Sequence, residues 1–121
     1  ISQAFRVGDL VITSGQAAIS PTGELVGVGD FDSQVKQTMA NLSAVLEAAG
    51  SSLAQIVKVT IYLRDMANFE KIVALREQYF SAPYPADTIV EVSSLALPEL
   101  DIEIEAMAVA GELALFAAST N

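Results

Sequence analysis

The run Ile56–Leu63 constrains the fold of this chain more than any other segment. It is rich in β-branched and aromatic side chains, the composition of a strand. Val57, Val59, Ile61 and Leu63 fall on one face and Ile56, Lys58, Thr60 and Tyr62 on the other. On either side lies a segment with the helical period. Between Phe31 and Ala49 the apolar residues Val35, Met39, Leu42, Val45, Leu46 and Ala49 recur at three- and four-residue intervals. Asp30 or Asp32 can cap the start of that helix and Gly50 its end. The second helix begins at Asn68, read as its cap, carries Ile72, Val73, Leu75, Arg76, Tyr79 and Phe80, and stops before Pro83 and Pro85.

Strand patterns fill both ends of the chain. Ala4–Val7 and Leu10–Gly15 form a hairpin around Gly8-Asp9. Pro83 and Pro85 bias their predecessors to extended geometry, which sends Ala86–Val92 off as a strand. After a loop over Ser93–Glu99, Ile102–Val109 is the last strand, with Ile102, Ile104, Ala106 and Ala108 on one face. The expected order is β-β-α-β-α-β-β, a single α+β domain with a mixed sheet and two helices on one face. Two helices can cover only one face of such a sheet. On the other, Met107 and Val109 follow Glu103 and Glu105, so that face is partly apolar and other subunits are expected to cover it.

Composition points the same way. Hydrophobic residues make up 52% of the 121 residues and charged residues 17%, against about 25% charged in an average soluble domain. No stretch approaches the ~20 apolar residues of a membrane span, so no membrane partner is expected. The chain has no Cys and no His, which removes disulfides, thiolate chemistry and the commonest general base and metal ligand. No metal or cofactor is implied. The net charge is −9, and the six cations Arg6, Lys36, Lys58, Arg64, Lys71 and Arg76 stand singly. Nucleic acid is therefore not an expected partner, because affinity for it depends on clustered cations that displace phosphate counterions. The chain opens at Ile1 with no charged-then-apolar leader to read.

Four separated motifs carry more specific information. Pro85-Ala86-Asp87-Thr88-Ile89-Val90-Glu91-Val92 is followed by Asp101-Ile102-Glu103-Ile104-Glu105-Ala106, and upstream stand Ile12-Thr13-Ser14-Gly15-Gln16 and Glu47-Ala48-Ala49-Gly50-Ser51-Ser52-Leu53. Their order and content resemble the Rid/YjgF family of reactive-intermediate (enamine/imine) deaminases, over residues 1–110. Residues 111–121 lie beyond the resemblance, as an added strand or a tail. The resemblance implies a chorismate-mutase-like fold and a cytoplasmic homotrimer with sheets inside, helices outside and small-metabolite clefts between subunits.

In that family an arginine after Pro-Ala grips the carboxylate of a 2-imino acid, and the first Glu of the Ile-Glu-Ile-Glu-Ala strand handles the attacking water. Carried over, Glu103 is the catalytic residue, and Ser14, Gly15, Thr88 and Ile89 contact the ligand. Ile1 stands at an aromatic position. The arginine position is Asp87. Hydrolysis of an imine needs a carboxylate to take a proton from water and a fixed countercharge for an anionic substrate. A guanidinium supplies that countercharge bidentately, whereas two like charges 4 Å apart cost roughly 4 kcal/mol at an effective dielectric of 20. A free 2-imino carboxylate is expected to bind poorly, and an imine or enamine without a carboxylate better. Asp87 beside Glu103 would form an acid/base pair; alternatively it caps a turn or pairs with Arg6 or Arg64. Ser14 lacks a histidine to activate it and reads as a ligand-contacting hydroxyl. The rival functions are a non-catalytic ligand-binding or interaction trimer and an endoribonuclease or translation inhibitor.

Overall fold

The computed structural model describes residues 1–111. Eight elements follow in order: β1 Ala4–Val7, β2 Leu10–Thr13, β3 Gln16–Ala17, α1 Phe31–Ala48, β4 Ile56–Leu63, α2 Phe69–Tyr79, β5 Ala86–Glu91 and β6 Ile102–Val109. Single 3-10 turns at Leu53–Gln55 and Met66–Asn68 lead into β4 and α2. The expected order holds with one addition, the two-residue β3. The sheet runs β1-β2-β6-β4-β5, with β3 also paired to β6. It is mixed: β4 and β5 are parallel, joined by the α2 crossover, and the other pairs are antiparallel. All but the first of the residues 111–121 read as a strand or tail lie outside the described residues.

Both helices pack on one face. Val11, Val59, Ile61, Leu63, Ile102, Ile104, Ala106 and Ala108 meet Met39, Leu42 and Leu46 of α1 and Ile72 and Leu75 of α2 in one buried cluster. The alternation expected for β6 is followed throughout. That expected for β4 is broken at its start, where Ile56 is buried and Val57 is not. The register with β6 shifts between Ile56 and Lys58, and such a bulge reverses side-chain parity.

The helix ends explain the chain's direction. The Asp30 carboxylate accepts from the Ser33 N–H at 3.3 Å and the Ser33 hydroxyl at 2.8 Å, so Asp30 rather than Asp32 caps α1. At the other end Gly50 has φ +85°, the Gly50 N–H donates to the Glu47 carbonyl and the Ser51 N–H to the Leu46 carbonyl, a Schellman closure. Asn68, expected to cap α2, makes no side-chain cap bond: its φ of −82° and ψ of 5° are not the extended geometry a capping side chain needs. Asp65 instead closes the preceding turn on the Ala67 N–H at 2.9 Å.

Among the described residues no helix covers the second face of the sheet. On it Phe5, Val7, Leu10, Ile12, Val90 and Met107 are exposed, Phe5 and Val7 by 65% and 64%. Strand register places Ile12 opposite both Phe5 and Met107, so these apolar side chains run as a continuous row across β1, β2 and β6.

Candidate functional site

Glu103 is set by β6. Its neighbours Ile102 and Ile104 point to the core, so the pleat turns Glu103 to the helix-free face, where it is half-buried opposite Tyr62 of β4 and Ala17 of β3. Gly15 makes room for it. A β-carbon at Gly15 would stand 2.5 Å from Oε2 of Glu103, so only glycine lets the carboxylate lie against this turn. A cavity of about 470 Å³ opens here, lined by Glu103, Gly15, Gln3, Ile1, Asn41 and Leu100 among others. Burial raises the Glu103 carboxyl above its ordinary range, and the neighbouring Glu105 charge adds to the effect.

The cavity wall is stitched from sequence-distant pieces. The Ser14 hydroxyl donates to the Ser2 carbonyl at 2.6 Å, and the Ser14 N–H donates to the Gln3 carbonyl at 2.8 Å. Gln16 Nε2 donates to Gln3 Oε1 at 2.8 Å. Ser14 thus spends its proton on the chain itself and offers a ligand only lone pairs. Asn41, which sequence reasoning missed, reaches out of α1 to donate to the carbonyls of Ala17 and Ile19 at 2.9 and 2.8 Å. Its one legible signal is an amide next to the apolar stripe of a helix, where a polar group must find partners.

The three expected residues of β5 stand apart from this cavity. Asp87 is in register with Val59, which is fully buried on the helix side, while Glu103 is in register with Tyr62 on the opposite face. Within one chain Asp87 and Glu103 therefore do not meet, and β4 separates their strands. Asp87 instead takes a bidentate guanidinium: Arg76 Nε donates to Oδ2 at 2.8 Å and Nη2 to Oδ1 at 3.0 Å. The expected partners are elsewhere, Arg6 on Asp9 and Arg64 on the Pro98 carbonyl. Ile89 packs against the core. Thr88 lies on the helix-free face and accepts from Lys58 Nζ at 2.6 Å.

On that same face the Tyr62 hydroxyl donates a hydrogen bond to Glu105, which pushes the phenol pKa up. Among the described residues no cluster of acidic side chains could hold a metal ion, and no helix is long and apolar enough to cross a membrane.

This chain, with two helices on one face of a mixed sheet, matches known proteins over nearly its whole length. Residues 1–110 match the family described as endoribonuclease L-PSP. A RutC family protein of Pyrococcus horikoshii is 46% identical over 108 residues, covering 88% of this chain and 84% of the relative. The 2-iminobutanoate/2-iminopropanoate deaminase of Escherichia coli is 39% identical over 111 residues, with coverage of 88% and 84%. The crystal structure of RidA from an Antarctic Psychrobacter superposes with a TM-score of 0.83 at 36% identity, covering 90% of this chain and 87% of that one. The chain belongs to this family, the RutC/RidA group of α+β proteins.

Proposed function

We propose that this protein binds small metabolites in clefts between subunits of a homotrimer and hydrolyses imine or enamine intermediates to a carbonyl compound and ammonia. The observation that carries this reading is the Glu103 carboxylate, half-buried against Gly15 at the wall of a cavity, with its proton affinity raised by desolvation. Glu103 gives its proton to the imine nitrogen and takes one from the water that adds to the C=N carbon. The carbinolamine then expels ammonia, its hydroxyl proton passing back through Glu103, and leaves C=O. A carboxyl whose affinity for protons is raised suits both transfers better than an ordinary one. Support for the chemistry comes also from the deaminase relative of Escherichia coli.

The substrate class follows from Asp87. Its pairing with Arg76 cancels the repulsion that an isolated carboxylate would exert, yet it leaves the position neutral rather than gripping. A substrate carboxylate gains no fixed countercharge there, so imines and enamines lacking one are the better fit. Assembly rests on the exposed apolar row from Phe5 to Met107, with Ile1, Ser14, Gly15 and Glu103 on one side of each cleft and Asp87, Thr88 and Ile89 of β5 on the other. An endoribonuclease reading finds little support: Arg6, Lys71 and Arg76 are paired with acids and Lys58 and Arg64 with other oxygens.

The test is ammonia release from 2-iminobutanoate and from propan-1-imine, the same chain without the carboxylate, each generated in situ by an amine-oxidising enzyme. Acceleration of propan-1-imine hydrolysis at least as large as that of 2-iminobutanoate is expected. Acceleration of 2-iminobutanoate alone contradicts the substrate class. Thermal stabilisation by either compound without turnover identifies the non-catalytic alternative.

A further inference from the structure

The helix-free face of the sheet carries an arrangement that the proposed hydrolysis does not use. Tyr62 is the register partner of Glu103, yet its hydroxyl passes to Glu105, the next residue along β6 on the same face, and donates to it. One phenol therefore stands across from one carboxylate while holding the other. Glu103 and Glu105 are two residues apart on one strand, so their side chains leave the sheet side by side. Among the described residues the titratable groups on this face are Glu103 and Glu105 of β6 and Lys58 and Tyr62 of β4. The strands β1, β2, β3 and β5 present Phe5, Val7, Leu10, Ile12, Ala17 and Thr88, none of which titrates. The one cation, Lys58, gives its ammonium to Thr88 on the side of β4 away from β6.

We propose that Tyr62 and Glu105 are positioning residues for Glu103: the phenol pins the Glu105 carboxylate beside Glu103, and that fixed negative charge favours the protonated form of Glu103 facing the ligand. A carboxylate that hydrogen-bonds to nothing swings to solvent and its field is screened; one tied to a tyrosine rooted in the central strand β4 is not. A protonated Glu103 can donate to an imine nitrogen before it accepts from water, so each turnover begins and ends with the proton on Glu103. Nothing of this is asked of Ser14 or Gly15.

The proposal rests on Glu103 being the acid/base group, and the experiment separates the two. The Glu103 carboxyl is titrated by 13C NMR in the intact assembled protein, in the parent and in the Tyr62→Phe and Glu105→Gln variants, and the pH profile of kcat/KM is recorded beside it. Removing negative charge, or its tether, favours the ionised form of Glu103. Its midpoint is therefore expected to fall in both variants, further in Glu105→Gln, and the alkaline limb of kcat/KM, where the required proton is lost, to move to lower pH with it. A Glu103 midpoint unchanged in both variants overturns the pair whatever the turnover. A midpoint that falls while Glu103→Gln keeps full activity leaves the pair standing and removes the catalytic role of Glu103. Tyr62→Phe keeps the ring in place, so it decides the matter alone should Glu105→Gln fail to fold.

Discussion

At the scale of single residues, the same type of side chain meets two fates. Among the described residues no cation pairs with Glu103; it is half-buried, and its carboxyl holds its proton more tightly than usual. Asp87 is given a guanidinium on both oxygens. A bidentate pair with partners 28% and 20% exposed lies between the surface and buried limits, so Asp87→Ala or Arg76→Ala should each cost about 1–3 kcal/mol of stability. A double-mutant cycle by urea denaturation checks it, and a coupling near zero would show the pair to be incidental. The pair also dictates how the site could be re-armed. Asp87→Arg alone sets two guanidiniums together, so an arginine at 87 must be combined with Arg76→Gln. This partner was not legible in the sequence: Arg76 belongs to the periodicity of α2, and only the parallel register of β5 on β4 brings position 87 beneath it.

At the scale of elements, the fold rests on a few polar clamps as much as on apolar stripes. Gln34 is 1% exposed; its amide nitrogen donates to the Gly27 and Glu99 carbonyls at 3.1 and 3.0 Å, and its oxygen accepts from the Asp101 N–H at 2.9 Å. It thereby fixes the loop before α1 and the entry to β6, two residues ahead of Glu103. Gln34→Leu keeps the volume but strands the partly buried Glu99 carbonyl and Asp101 N–H, while the Gly27 carbonyl keeps the Asp30 N–H, and a loss of about 2–4 kcal/mol is expected in thermal or urea unfolding. A loss below that of an ordinary surface substitution would mean that water replaces the amide. Here the apolar period was a partial guide. It found Met39, Leu42 and Leu46, with Val35 and Ala49 packed against the same cluster, but it did not mark Gln34 and Thr38, which the structure buries. Hydropathy cannot register a polar side chain whose partners are loop carbonyls far away in sequence. The strands were more legible, because alternation needs no partner: β6 follows it at every position, and β4 departs only at its bulge. The two-residue β3 escaped notice because it is too short to show a period.

At the scale of the whole molecule, the described residues give the sheet a packed face and a bare one. Exposed Phe5, Val7, Leu10, Ile12 and Met107 form a contiguous apolar area of the kind that marks an interface. Light scattering should find a mass of three 12.7 kDa chains, and Ile12→Asp, which puts a charge in the middle of the row, should dissociate it. A parent of single-chain mass would contradict the trimer and with it any cleft between subunits. In the sequence this face was visible as a surplus of apolar residues over helices to cover them, and the family resemblance supplied the trimer. The residues of the candidate site were named from the same resemblance, and the structure brings Glu103, Gly15 and Ile1 to one cavity with Ser14 behind them. The chemistry turns on Glu103, and the most direct measurement is the rate of imine hydrolysis by the parent and by Glu103→Gln, each shown to be folded and assembled. A fall of about 10²–10⁴-fold, as for loss of a general acid/base, is expected. Turnover unchanged by Glu103→Gln would contradict the role given to Glu103 and leave the cavity as a binding site.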